Sequence, residues 1–317
     1  MNLTGLHLLL SYQCTSECDH CFVQSSPRAR GTMTLEFARS AIRQAAEMGG
    51  FSDIAIEGGE PFLFYPILLG AVREAVDYGL DVALVSNGYF ATSVEDAEEY
   101  LRPLKQIFDG DDSGFSSMLS LSISDDEYHG GGFDSPAERA REAASRLGIE
   151  VSSIAIDQPC VVEHDKIKGE PILGGGVRFR GRAAEKLVDD PVLPRRPWME
   201  FSECPDENWT DLGRVHLDGY GNLFTCQGVV IGNMKNKPLA HVLADYEPFA
   251  HPIIGPLARS GPAGLVKEYN LDLKGDYLDA CELCYKARKE LRQRFPEQLA
   301  PPVVFGVEEE VATQASA

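Results

Sequence analysis

Apolar, strand-like segments recur about every 30 residues through the first half of this chain, with helical patterns between them. The strands read as Leu6–Tyr12, Asp53–Glu57, Asp81–Ser86, Met118–Ile123 and Val151–Ile156, with Val177–Phe179 as a short sixth. Helices are predicted over Leu35–Met48, Pro66–Tyr78, Val94–Ile107 and Ala137–Leu147. Thr34 is placed to cap the first of these and Gly49-Gly50 to stop it. Strands and helices alternating at this spacing give βα units around a parallel sheet, an α/β fold. Such sheets carry their chemistry at the carboxyl ends of the strands.

The unusual residues of the chain fall at those ends. Cys14, Cys18 and Cys21 follow the first strand in the spacing C-x3-C-x2-C. Gly58-Gly59-Glu60-Pro61 follows the second, and Ser86-Asn87-Gly88 ends the third. Ser122, Ser124 and Asp125 end the fourth, and Cys160 follows the fifth. Three thiolates this close converge on one metal centre, yet they are one fewer than the irons of a cubane cluster. One iron is then open to another ligand. A structural zinc knuckle is the rival, although it usually uses paired C-x2-C ligands.

The stretch Cys14-Thr15-Ser16-Glu17-Cys18-Asp19-His20-Cys21 resembles the signature of the radical S-adenosylmethionine (radical SAM) superfamily, with His20 where an aromatic residue usually stands. The resemblance implies a partial (β/α)6, TIM-like barrel. Its [4Fe–4S] cluster, on Cys14, Cys18 and Cys21, would leave an open iron for the amino and carboxylate groups of SAM. Reductive cleavage of SAM then gives a 5'-deoxyadenosyl radical that abstracts hydrogen from a substrate. Gly58, Gly59, Glu60 and Pro61 match the superfamily's glycine-rich turn. Its glycines would let backbone carbonyls and a carboxylate approach the cationic amino group closely.

The resemblance also implies SAM contacts from Ser86 and Asn87, against an ordinary Asn-Gly turn. Ser124 and Asp125 suit hydrogen bonds to the ribose or the methionine carboxylate, against helix N-capping. Of Arg178, Arg180 and Arg182, Arg180 is the residue assigned to the SAM carboxylate; the others read as solvated or structurally paired. His129, in a glycine-rich loop, reads as a surface histidine, with a substrate-side proton carrier as the alternative.

After about residue 183 the rhythm breaks. Asp189–Pro197, with three prolines, reads as a linker between a core domain (1–190) and a smaller domain (198–300), with 306–317 as a tail. The smaller part has a hairpin over Arg214–Leu217 and Asn222–Cys226, a helix over Leu239–Ala244 and a charged helix from Cys281 to Phe295. Cys204, Cys226, Cys281 and Cys284 resemble the ligands of the SPASM or Twitch domains attached to many radical SAM enzymes. They imply one auxiliary [4Fe–4S] cluster, with a four-cysteine zinc as the alternative. Cys160 is then left over. It is either a hydrogen-atom donor of the kind used by radical SAM peptide epimerases or a small packed side chain, and it could exchange roles with Cys204.

Eight cysteines with no export signal suit metal ligation in a reducing cytoplasm. A net charge of −20 with no basic run argues against a nucleic-acid backbone as partner. No apolar run approaches the ~20 residues needed to cross a bilayer, so no membrane is expected. Only 13 residues precede Cys14, so no leader-peptide-binding domain is expected ahead of the barrel. The function read from these features is a radical SAM enzyme served by a flavodoxin- or ferredoxin-type reductant. A peptide is the first substrate class and a small molecule the second. A non-enzymatic iron–sulfur or zinc protein, the reading from a different class, has no use for a SAM-shaped loop at residues 58–61.

Overall fold

The computed structural model describes residues 2–110, 116–164 and 171–307. Its first half follows the predicted rhythm: β1 (Gly5–Ser11), α1 (Leu35–Met48), β2 (Asp53–Gly58), α2 (Tyr65–Asp77), β3 (Asp81–Ser86), α3 (Val94–Asp109), β4 (Leu119–Ser124), α4 (Pro136–Arg146) and β5 (Glu150–Ile154). The Thr34 hydroxyl accepts the Phe37 N–H at 3.2 Å and starts α1. Ser93 and Ser135 cap α3 and α4 in the same way. Each helix buries a stripe at helical spacing, such as Ala38, Ala41, Ile42 and Ala45 on α1. The small side chains of that stripe let the helix lie close against the sheet.

Strands β1 to β5 pair in chain order, all parallel. The expected sixth strand is corrected. Val177–Phe179 pairs with no strand among the described residues. Val177 and Phe179 instead bury their side chains in a small separate cluster with Leu193 and Leu278. Between β5 and that segment, β6 (Cys160–His164) and β7 (Pro171–Gly174) form an antiparallel hairpin of their own.

A sixth parallel strand comes from far along the chain. After β8 (Arg196–Pro197), β9 (Arg214–Asp218) lies parallel on the free edge of β1, with Gly5 opposite Arg214 and Leu9 opposite Asp218. The reason lies in β1. Leu6, Leu8, Leu9 and Leu10 are fully buried, so both edges of the strand lie in the core. Its backbone groups there need a partner on each side. The predicted hairpin forms, and β10 (Asn222–Phe224) with β11 (Val230–Asn233) continues the same sheet antiparallel. One sheet of eight strands therefore runs through both halves of the chain.

The rest of the C-terminal half is helical, with α5 (Ala183–Lys186), α6 (Leu239–Ala244), α7 (Ile254–Glu268) and α8 (Ala280–Leu291); a short β12 (Asp276–Tyr277) pairs with β8. Asp279 caps α8 by accepting the Glu282 N–H at 2.7 Å, which sets Cys281 and Cys284 in its first turns. No helix among the described residues is long and apolar enough to cross a membrane. Most of the expected tail, 308–317, lies outside the described residues.

Candidate active site

The chain leaves β1 into a loop that carries the first three cysteines. The Cys14 N–H bonds Ser26 O at 3.1 Å and the Cys21 N–H bonds Cys18 O at 3.0 Å, which folds the loop on itself. Two further backbone N–H groups point at sulfur, Ser16 to Cys14 Sγ at 3.4 Å and Ser25 to Cys21 Sγ at 3.3 Å. All three cysteines line a cavity of about 330 Å³, together with Gly58, Gly59, Ser86, Asn87 and Ser124. Burial, then the backbone hydrogen bond from Ser16 acting against it, leaves Cys14 pushed up to about 11. Burial and the neighbouring Cys21 and Cys14 push Cys18 up to about 12. Such thiols surrender their protons to a metal rather than to neutral water. Aimed N–H donors on sulfurs that need a metal fit an iron–sulfur cluster on this loop.

The glycine turn has a nearer purpose than the approach of a ligand. A Cβ on Gly59 would sit 2.0 Å from Gln13 O, and one on Gly58 would sit 2.5 Å from Ser11 O. Gly58 also holds φ +130°, a left-handed value that favours glycine. The turn is zipped to the start of the cysteine loop, with Gly59 N–H on Ser11 O at 2.6 Å and Glu60 N–H on Gln13 O at 2.9 Å. Gly58 and Gly59 still face the cavity, but Glu60 and Pro61 do not line it, a correction to the expected SAM contacts. Pro61 opens a short 3-10 turn. The fully buried Glu60 carboxylate accepts Ser86 Oγ at 2.9 Å, Asn87 N–H at 2.8 Å and Phe62 N–H at 3.0 Å.

The side chains of Ser86 and Asn87 are likewise spent on the protein. Asn87 Nδ2 donates to Thr15 Oγ1 at 2.9 Å and reaches Cys14 Sγ at 3.5 Å. Ser124 lines the cavity with its hydroxyl free of protein partners among the described residues. Asp125 does not line it; its carboxylate pairs with Arg141. The acidic residue at the cavity is the next one, Asp126. It accepts His129 Nδ1 at 2.7 Å and the Ile156 N–H at 3.2 Å, and it faces His20 Nε2 at 3.4 Å. Burial opposes its ionisation, but the hydrogen bonds from His129 and His20 outweigh that and hold its carboxyl well below the usual carboxylate range. His129, read as a surface residue, instead sets Nε2 3.2 Å from Cys18 Sγ.

Among the three arginines, Arg182 departs from expectation. Arg182 is buried, with Nη1 on Cys18 O at 2.6 Å and Nη2 on Ser25 O at 2.7 Å, and so braces the cysteine loop. Arg178 pairs with Asp206 at 3.2 Å. Arg180 lines the cavity, stacks over Phe22 at 5.4 Å and lies 3.9 Å from Asp206. A group the sequence did not single out sits on the cavity wall as well. Glu57 Oε1 accepts His216 Nδ1 at 2.8 Å and faces His7 Nδ1 at 3.4 Å across three adjacent strands. Burial alone would raise its carboxyl, yet hydrogen bonds from His216 and His7 carry it well below the ordinary range.

Residues 8–156 match the family model described as the Radical SAM superfamily. This part of the chain is a radical SAM domain. The putative peptide biosynthesis protein YydG of Bacillus subtilis (strain 168) is 30% identical over 120 residues, covering 38% of this chain and 35% of that protein. The match thus spans about a third of the relative's length. The crystal structure of BtrN in complex with AdoMet and 2-DOIA shares the fold, with a TM-score of 0.52 at 14% identity over 89% of this chain and 92% of that one. The matched residues include the three-cysteine loop and the βα units from β1 to β5.

Beyond the matched residues, Cys204, Cys226, Cys281 and Cys284 line one small second cavity, which Arg180 shares with the first. Burial pushes Cys284 up to about 12 and raises Cys204 and Cys281. Cys160 stands apart. It is exposed on β6, opposite Gly174, and lines neither cavity. The exchange of Cys160 with Cys204 therefore has no support in the geometry, because Cys204 is the residue beside the other three.

Proposed function

We propose that this radical SAM enzyme binds SAM against the loop of Cys14, Cys18 and Cys21 and modifies a peptide. The observation that carries the reading is that this loop, Gly58-Gly59 and Ser124 all open on one cavity. A [4Fe–4S] cluster with SAM on its open iron supplies hydrogen-atom abstraction when an electron arrives, here from a flavodoxin- or ferredoxin-type donor. The protein's own residues position the reactants. Gly58 and Gly59 would offer backbone carbonyls to the amino group of SAM, Ser124 would take a hydroxyl or carboxylate, and Arg180 is the cation on the wall for a carboxylate. Asn87 and Arg182 hold the cysteine loop in place. Glu57 offers the substrate a carboxylate whose Oε2 has no protein partner among the described residues.

A second metal centre at Cys204, Cys226, Cys281 and Cys284 belongs to the same reading. Four thiolates around one cavity can ligate an auxiliary [4Fe–4S] cluster completely, and a four-cysteine zinc is the alternative. Elsewhere among the described residues, His7–Glu57–His216 and His20–Asp126–His129 each bring three ligand atoms within 4.8 Å of one another. The named activity of YydG supports a peptide over a small molecule. The test is to search the neighbouring genes for short peptide precursors, to produce the enzyme together with each and to measure their masses and deuterium uptake. A peptide altered by the wild type and not by a Cys14/Cys18/Cys21→Ala variant upholds the reading. Unaltered peptides, with SAM cleavage instead driven by a small molecule, overturn it.

A further inference from the structure

Arg288 is 2% exposed, and no carboxylate lies within salt-bridge distance of it among the described residues. Its acceptors are main-chain carbonyls, Gln227 O at 2.6 Å from Nη1 and Cys284 O at 3.4 Å from Nε. Nη1 also lies 3.9 Å from Cys226 Sγ. Glu207, an acidic residue that feels the charge of Arg288, is engaged by Arg214 at 3.1 Å. Arg180, the other cation at this cavity, has Asp206 beside it. A guanidinium buried among neutral carbonyls is an unpaired charge, a state that costs several kcal/mol. Folded proteins avoid it unless a counter-charge arrives from elsewhere.

The sequence shows where that charge comes from. Helix α8 sets Cys281, Cys284 and Arg288 at i, i+3 and i+7, on one face. Arg288 thus points into the cavity of the four cysteines. Four thiolates on a cluster core leave the centre dianionic. We propose that Arg288 is the built-in counter-charge of an anionic metal–thiolate centre at Cys204, Cys226, Cys281 and Cys284. It is a positioning residue, and its assignment rests on the reading that these cysteines bind a metal centre.

Two consequences have opposite signs. Without metal, Arg288 is a buried, unpaired cation and destabilises the fold. With metal, it stabilises the added negative charge of the reduced centre and so raises its reduction potential.

The test uses the full chain carrying Cys14/Cys18/Cys21→Ala, so that only the second centre remains. Arg288→Met and Arg288→Lys are added to this parent. Each protein is examined metal-free and after anaerobic reconstitution with iron and sulfide. The thermal midpoint, the iron retained and the midpoint potential by electron paramagnetic resonance are read. Arg288→Met is expected to raise the thermal midpoint of the metal-free protein. In the reconstituted protein it should lower iron retention and shift the potential to more negative values. Arg288→Lys, which keeps the charge, should stay near the parent. An Arg288→Met protein destabilised alike with and without metal, or unchanged in potential, overturns the proposal while leaving the metal centre standing. A parent that binds neither iron nor zinc overturns both the centre and the counter-charge.

Discussion

Asn87 donates its backbone N–H to Glu60 Oε2 at 2.8 Å, and that bond joins the end of β3 to the glycine turn after β2. The same residue reaches Cys14 Sγ with its side chain at 3.5 Å. A buried carboxylate, two strand ends and a cluster cysteine are thus linked. Glu60 is a keystone of the loops around the cavity rather than a group that touches SAM.

Burial pushes the Glu60 carboxyl up to about 7, against hydrogen bonds from Asn87, Phe62 and Ser86. A pKa raised in the folded state contributes stability that is complete below the unfolded value, about 4.3, and is lost as pH rises through about 7. The wild type should therefore lose stability as pH rises from about 4.3 to about 7, at up to about 1.4 kcal/mol per pH unit. Glu60→Gln should remove that slope. Anaerobic thermal melts of both proteins across this window check it; parallel curves would contradict it.

Gly59→Ala puts a methyl group where Gln13 O already stands, 2.0 Å away. The cost is about 1–3 kcal/mol if neighbours shift, and the shift displaces the start of the cysteine loop. Iron bound at Cys14, Cys18 and Cys21 should fall, together with SAM affinity, while iron at the other four cysteines stays. Iron analysis with equilibrium binding of SAM reads both effects. Full iron with normal affinity would show that the glycine is dispensable.

Adjacent aspartates should behave very differently. Asp125 pairs with Arg141 in a partly exposed bridge, a contact worth about 0–1 kcal/mol, so Asp125→Asn should leave SAM cleavage nearly unchanged. Asp126 holds His129, His20 and the Ile156 N–H at the cavity wall. Asp126→Asn should cost about 1.5–3 kcal/mol for each charge-assisted bond lost and lower cleavage at least tenfold. Rates of 5'-deoxyadenosine formation in the two variants decide the matter, and equal losses would refute the distinction.

Cys160→Ser should leave iron content, SAM cleavage and product yield as in the wild type, because its exposed thiol lines neither cavity. A variant that cleaves SAM normally but loses product would restore the hydrogen-donor role.

What could be read directly from the sequence was local. The cap at Thr34 and the helical stripes depend on neighbours within a few turns, as do the cysteine spacings. These are the features that pattern captures. Residues whose roles depend on distant pairing were missed. His216 meets Glu57 across 159 residues only because β9 docks on β1. Arg182 meets Cys18 O across 164 residues, where the sequence offered only one arginine among three at alternate positions. Asp126 was passed over for Asp125 because the run Asp125-Asp126-Glu127 does not reveal which acid faces inward. The strand ends at Ser124, and the turn that follows makes that choice.

The central claim is that Cys14, Cys18 and Cys21 make one reactive centre with SAM in the cavity they share with Gly58 and Gly59. The most direct measurement is 5'-deoxyadenosine formed from SAM by the anaerobically reconstituted enzyme with dithionite, beside the Cys14/Cys18/Cys21→Ala variant. The account predicts product from the wild type and none from the variant, which should keep about half the iron if each cysteine set holds one four-iron cluster. No product from a wild-type protein that holds zinc in place of iron would contradict it.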